Sequence, residues 1–88
     1  MKEKELERVL KALANRRRLF ILTALKKHGR MTVGDIARTI KLSFKATSKH
    51  LAILASAGIV DKVQESLTMN YFIIASLPAG ARHIISLL

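Results

Sequence analysis

Ser43, Lys45, Ala46, Ser48 and Lys49 gather short and cationic side chains into one brief stretch of the chain. On a helix, Lys45, Ser48, Lys49 and Ala52 share one face, while Phe44, Thr47, Leu51, Leu54 and Ala55 share the other. A helix enters the major groove of duplex DNA when its outer face permits close approach and carries donors for base edges or phosphates. Lys45 and Lys49 suit phosphate oxygens or guanine acceptors, Ser48 suits backbone or base, and Ala46 suits the methyl group of thymine. Ser43 has the chemistry of an N-cap, which would aim the helix's first amides at a phosphate. A solvated polar face is the plainer alternative for the same residues.

Arg16, Arg17 and Arg18 open another apolar-rich segment, where cations oppose the helix dipole at roughly 0.3–1 kcal/mol each when exposed. Phosphate contact would compensate for that opposition, and simple solvation is the competing reading. Lys41, Lys62 and Thr68 join the candidate DNA contacts, with Ser66 and Asn70 beside them, and for Lys62, Ser66, Thr68 and Asn70 a solvated hairpin is the competing reading. Catalysis finds no foothold: no nucleophile–base pair or phosphate loop is present, and Gly29, Gly34, Gly58 and Gly80 are scattered. Without cysteine there is no disulfide and no thiolate site, and His83 alone cannot supply three or four metal ligands. No catalytic residue, metal or cofactor is therefore expected.

The elements that must position these groups follow from periodicity. Leu6, Val9, Leu10 and Leu13 form an amphipathic stripe over 2–14, with Glu3, Glu5 and Glu7 near its start and Asn15 as a break. Arg16 to His28 is apolar nearly all round, the pattern of a central core helix, and Gly29 stops it. Thr32 opens the next helix, with Asp35 three residues on completing a capping-box pattern and Val33, Ile36, Ala37 and Ile40 facing inward. Ser43 opens the one after, so two short helices follow each other across about 32–57 as in a helix-turn-helix. Ile59 to Ile74, rich in β-branched and aromatic residues, reads as a hairpin turning around Ser66 to Met69. The segment 77–88, with Pro78 early and Leu77, Ala81, Ile84, Ile85 and Leu88 on one stripe, reads as a last helix. Being short, it is marginal alone and should pack on a partner subunit alongside the first helix.

In this order of elements, the sequence resembles the ArsR-type (ArsR/SmtB-like) winged helix-turn-helix regulators. The stretch from Leu10 through Ala14, Asn15 and Arg18 to Leu22 looks like that family's opening into its second helix. Ser48 through His50, Leu51 and Gly58 to Val60 is similar to its recognition-helix signature. The resemblance covers nearly the whole chain. It implies an α+β fold of about five helices plus a two-stranded wing, and a dimer that reads DNA with helix 43–57. It also points at Arg18 as a DNA-contact position, and His50 matches the family's usual histidine, for which a DNA contact and a structural role both stand. Where relatives carry metal-binding cysteines this chain has Met31 to Asp35, and where they carry a basic, glycine-containing wing tip it has Gln64 to Asn70.

Composition agrees. The 88 residues suit a single domain, and 16 Lys and Arg against 6 Asp and Glu give a charge of +10, for which nucleic acid is the natural counterpart. Half of the residues are apolar, more than so small a charged domain hides readily, which suggests a homodimer burying Leu6, Val9, Leu10, Leu13, Leu77, Ala81, Ile84, Ile85 and Leu88. No apolar run is long enough for a membrane span and the N-terminus lacks a leader's apolar core, so a cytoplasmic protein is expected. The leading expectation is a dimeric, sequence-specific, DNA-binding transcriptional regulator of the repressor kind. The alternatives are a non-specific DNA- or RNA-binding chromatin-like protein, and a winged-helix adaptor between proteins. The signal, if not metal, is left open between redox input through Met31 or Met69, a small molecule, a partner protein and none at all.

Overall fold

A computed structural model describes residues 2–78 and 80–88. Met1, in the stretch read for a leader, and Ala79, within the expected 77–88 helix, lie outside the described residues. The order is α1 (Glu3–Leu13), α2 (Arg16–His28), α3 (Val33–Ile40), α4 (Phe44–Ser56), β1 (Val60–Glu65), β2 (Thr68–Ile73) and α5 (Ala81–Ser86).

Three of the four long helices start on a side-chain cap. Asn15 Oδ1 accepts the Arg18 N–H, Thr32 Oγ1 that of Asp35 and Ser43 Oγ that of Ala46, each at 3.1 Å. Such a cap contributes about 1 kcal/mol and fixes where the helix begins. The capping box at Thr32 is only half made, because the Asp35 carboxylate pairs with the Arg38 guanidinium one turn on.

Helix α2 is the hub, touching α1, α3, α4 and β2. Ile21, Leu22 and Leu25 on α2 are fully buried with Ile36, Leu51, Leu54, Ile59 and Val60 from the elements around it. Each such side chain contributes about 1.5–3 kcal/mol on leaving water. The polar Thr47 joins this core without penalty, since its hydroxyl donates to the Ser43 carbonyl at 2.8 Å.

β1 and β2 pair antiparallel from Val60 opposite Ile73 to Glu65 opposite Thr68, leaving Ser66 and Leu67 as the turn. Met31, in the link between α2 and α3, adds a bridge to the outer edge of β2, exchanging both backbone hydrogen bonds with Tyr71 at 3.1 and 2.8 Å. The wing is thereby tied to the helical body along its second strand.

The last helix departs from expectation. It begins at Ala81, after Gly80 at φ 86°, so Leu77 and Pro78 belong to the approach and not to the helix. Ala81 and Ile85 are buried against the protomer's own core, and α5 contacts α1. Lys26 holds its far end, with Nζ donating to the carbonyls of Ile85, Ser86 and Leu88 at 3.2, 3.3 and 2.9 Å. The helix is thus docked within one chain, where the sequence pointed to a second subunit.

Candidate nucleic-acid interface

Helix α4 is anchored by Thr47, Leu51 and Leu54, all buried, and this fixes which way the rest of it points. Lys45 and Lys49 are exposed on the opposite side, with Ala46 and Ser48 half-buried between them. Among the described residues the ion pairs are Glu7–Lys11, Arg30–Glu65 and Asp35–Arg38, so neither lysine has a carboxylate partner. Ser43 spends its hydroxyl on the cap, which leaves the first amides of α4 facing outward as helix N-termini do.

Lys41 is exposed in the turn before α4 and sits in the left-handed region at φ 58°, ending α3. That conformation disfavours a side-chain-bearing residue by about 1–2 kcal/mol. It ends α3 two residues before the Ser43 cap of α4, so an exposed lysine stands in the turn of the helix-turn-helix.

Two of the expected contacts meet each other, Arg18 buried and His50 half-buried. Arg18 is only 9% exposed; its Nε and Nη2 donate to the carbonyls of Ala12 and Lys11 at 2.5 and 2.9 Å. These carbonyls belong to the last turn of α1, which needs donors there. Nη1 of Arg18 lies 3.2 Å from Nδ1 of His50, on α4. A guanidinium can only donate, so Nδ1 accepts and the neutral ring carries its hydrogen on Nε2. Burial lowers the pKa of His50, and the charges of Arg18 and Arg17 lower it further. Desolvation also lowers that of Arg18, which nonetheless stays charged near neutrality. Arg18 therefore corrects its expected role: it is a strut between α1, α2 and α4 and not a free cation for phosphate. Arg16 and Arg17 remain exposed.

The hairpin stands apart from this face in chemistry. Lys62 is exposed, with Nζ 5.9 Å from the centre of the Tyr71 ring, a cation–π separation. The Thr68 hydroxyl donates to the Glu65 carbonyl at 3.0 Å and accepts from Asn70 Nδ2 at 3.0 Å, so it is committed to the hairpin's own turn. Arg30 pairs with Glu65 at 2.5 Å and lies 5.7 Å from the Phe72 ring centre, clamping the wing to the link before α3. The tip itself is Leu67, 97% exposed.

The expected dimer stripe divides in the same way. Val9, Leu13, Ala81 and Ile85 are buried in the protomer, and Leu77 and Ile84 pack partly against the same core. These four buried residues are corrected from surface to core, because α5 folds back on α1. Leu6, Leu10 and Leu88 stay exposed, joined by Leu87.

Sequence reasoning missed two aromatic rings. Phe44, placed on the inner face by helical periodicity, is 62% exposed, and Phe20 is half exposed. Ala55 is exposed as well. At the first position of a helix the wheel says little, since no preceding turn supports that side chain; the Ser43 cap was the signal that Phe44 occupies that position. Behind the C-terminal half of α4, an open groove of about 600 Å³ runs along α1, lined by Lys4, Arg8, Lys11, Ile53 and Ser56 among others.

Comparison with known proteins places this arrangement. The sequence model for "Bacterial regulatory protein, arsR family" matches residues 15–62, more than half of the chain. The transcriptional activator HlyU of Vibrio cholerae is 41% identical over 63 residues, 72% of this chain and 57% of HlyU. The HTH-type transcriptional regulator YgaV of Escherichia coli is 34% identical over 65 residues, 74% of this chain and 66% of YgaV. The matched stretch thus spans less than two thirds of the length of these relatives. Among solved structures, the homodimeric winged helix-turn-helix DNA-binding domain Mb0332 of Mycobacterium bovis superposes with a TM-score of 0.81. The two are 32% identical, across 96% of this chain and 74% of that one.

Proposed function

The chain belongs to the arsR family of bacterial regulatory proteins, and from that premise we propose that it is a homodimeric, sequence-specific DNA-binding transcriptional regulator of the cytoplasm, acting as a repressor by occupying its operator. The observation that carries this reading is the N-terminal half of α4: Lys45 and Lys49 project from the body without carboxylate partners while Thr47, Leu51 and Leu54 grip the core. Lys41, Ser43, Ala46 and Ser48 complete the surface, with Arg16 and Lys62 as flanking phosphate contacts. His50 contributes a neutral Nε2–H donor. Among the described residues no helix is long and apolar enough to cross a membrane. We assign the protein no reaction, in keeping with a family of regulators.

Two recognition helices on a dimer read half-sites about 34–36 Å apart, so the operator is an imperfect palindrome. Fluorescence anisotropy on the upstream region of its own gene, in competition with scrambled duplex, tests the assignment. Preference for the upstream region by a factor of about 10³ or more is the expected result. Lys49→Ala weakens binding across sequences and lowers the salt slope by about one, with little change in thermal midpoint. Equal affinity for both duplexes at moderate salt would instead support the non-specific binder that a charge of +10 also allows.

A further inference from the structure

Phe44 is a large apolar side chain left 62% exposed at the first position of α4, between the Ser43 cap and Lys45. The protein's own fold does not cover it, and neither would a second subunit seated on the exposed leucines of α1. Helix α1 lies against the C-terminal half of α4, where Arg18 links the Ala12 carbonyl to His50 and the shared groove reaches Ile53, Ser56 and Ala57. At 1.5 Å per residue, Phe44 is about 18 Å up the helix axis from Ser56. The charged residues nearest to it in the chain are the exposed cations Lys41 and Lys45, which select a polyanion and repel a basic protein surface. A phenyl ring neither donates nor accepts a hydrogen bond. On the floor of the major groove the single apolar group offered by any base pair is the C5-methyl of thymine.

We propose that Phe44 is a specificity-determining residue, reading the methyl group of one thymine in each operator half-site while Lys41 and Lys45 hold the flanking phosphates. This rests on the DNA-binding reading above and gives it a sequence preference. The half-site contains a thymine opposite the N-terminus of α4, and its recognition depends on the methyl and not on hydrogen bonds. Ala46, the residue whose composition first suggested a methyl contact, is half-buried, and its amide is held by Ser43.

The test starts from a duplex obtained by binding-site selection with the wild-type protein. Each thymine is replaced in turn by deoxyuridine, which removes the methyl and leaves base pairing intact. For wild type, one position per half-site loses affinity by about fourfold on deoxyuridine substitution, the worth of one buried methyl. Phe44→Ala binds thymine and deoxyuridine equally there, Phe44→Leu restores part of the preference, and the thermal midpoint of both variants stays near that of wild type. If the methyl effect persists in Phe44→Ala, or vanishes in Ala46→Gly instead, the assignment to Phe44 is overturned while DNA binding stands. If the wild type selects no duplex even at low salt, both this inference and the function it rests on are overturned.

Discussion

Arg18 and His50 show how one pair of side chains redirects a surface. A buried guanidinium is tolerated because its donors meet two helix-end carbonyls and an imidazole nitrogen. Hydrogen bonds to a charged group contribute about 1.5–3 kcal/mol apiece, so Arg18→Ala is expected to lower unfolding stability by about 2–4 kcal/mol. Arg17→Ala, at an exposed position, should change it by less than about 0.5 kcal/mol. Urea titration of the two variants distinguishes a strut from a free cation. His50 adds a pH dependence whose sign follows from its lowered pKa. The unfolded chain protonates at the ordinary imidazole value of 6.5, while the folded ring resists until lower pH. Between those two values the unfolded state binds more protons, so stability is fully present above 6.5 and falls with pH down to the folded pKa. Thermal melts of wild type and His50→Gln from pH 8 to pH 5 should show a component of the acid loss that the variant lacks.

Helix junctions carry the next set of decisions. Lys41 ends α3 in a left-handed conformation that glycine adopts freely, yet it is an exposed cation in the turn between α3 and α4. Lys41→Gly is therefore expected to leave stability unchanged or raise it by up to about 1 kcal/mol while weakening DNA binding. Opposite movement of thermal midpoint and affinity identifies a residue retained for binding; a parallel fall in both would mean that the turn itself needs lysine. The wing is built differently, with the Thr68 and Asn70 side chains bonded within its own turn and an apolar tip at Leu67. Its bridge to Met31 and the Arg30–Glu65 pair make it a stiff extension of the body.

For the molecule as a whole, the division between protomer core and outer apolar surface limits which residues are free for the proposed dimer. With Val9, Leu13, Ala81 and Ile85 occupied inside, we propose that a partner meets Leu6, 39% exposed, and Leu10, 46% exposed, on α1, together with Leu87 and Leu88. Leu6→Lys/Leu10→Lys is expected to give a folded monomer, seen by light scattering at micromolar concentration with the far-ultraviolet helical signal retained. Its affinity for a palindromic site should fall far more than for a single half-site, because the second recognition helix is no longer tethered. Loss of the helical signal would place those leucines in the core instead.

Local chemistry was enough to reveal the element order, the break at Asn15, the caps at Thr32 and Ser43, the central place of α2 and the cationic edge of α4. Each depends on residues within a few positions of one another, where periodicity and capping act directly. The partners of Arg18, the docking of α5, the bridge from Met31 to Tyr71 and the exposure of Phe44 depend on groups far apart in the chain. Arg18 and His50 are 32 residues apart, and Lys26 and Leu88 are 62 apart. No local pattern distinguishes an arginine that will meet two carbonyls from one that will meet a phosphate, because both need the same side chain. That choice is made when the helices pack and close space around one guanidinium while leaving its neighbours in water.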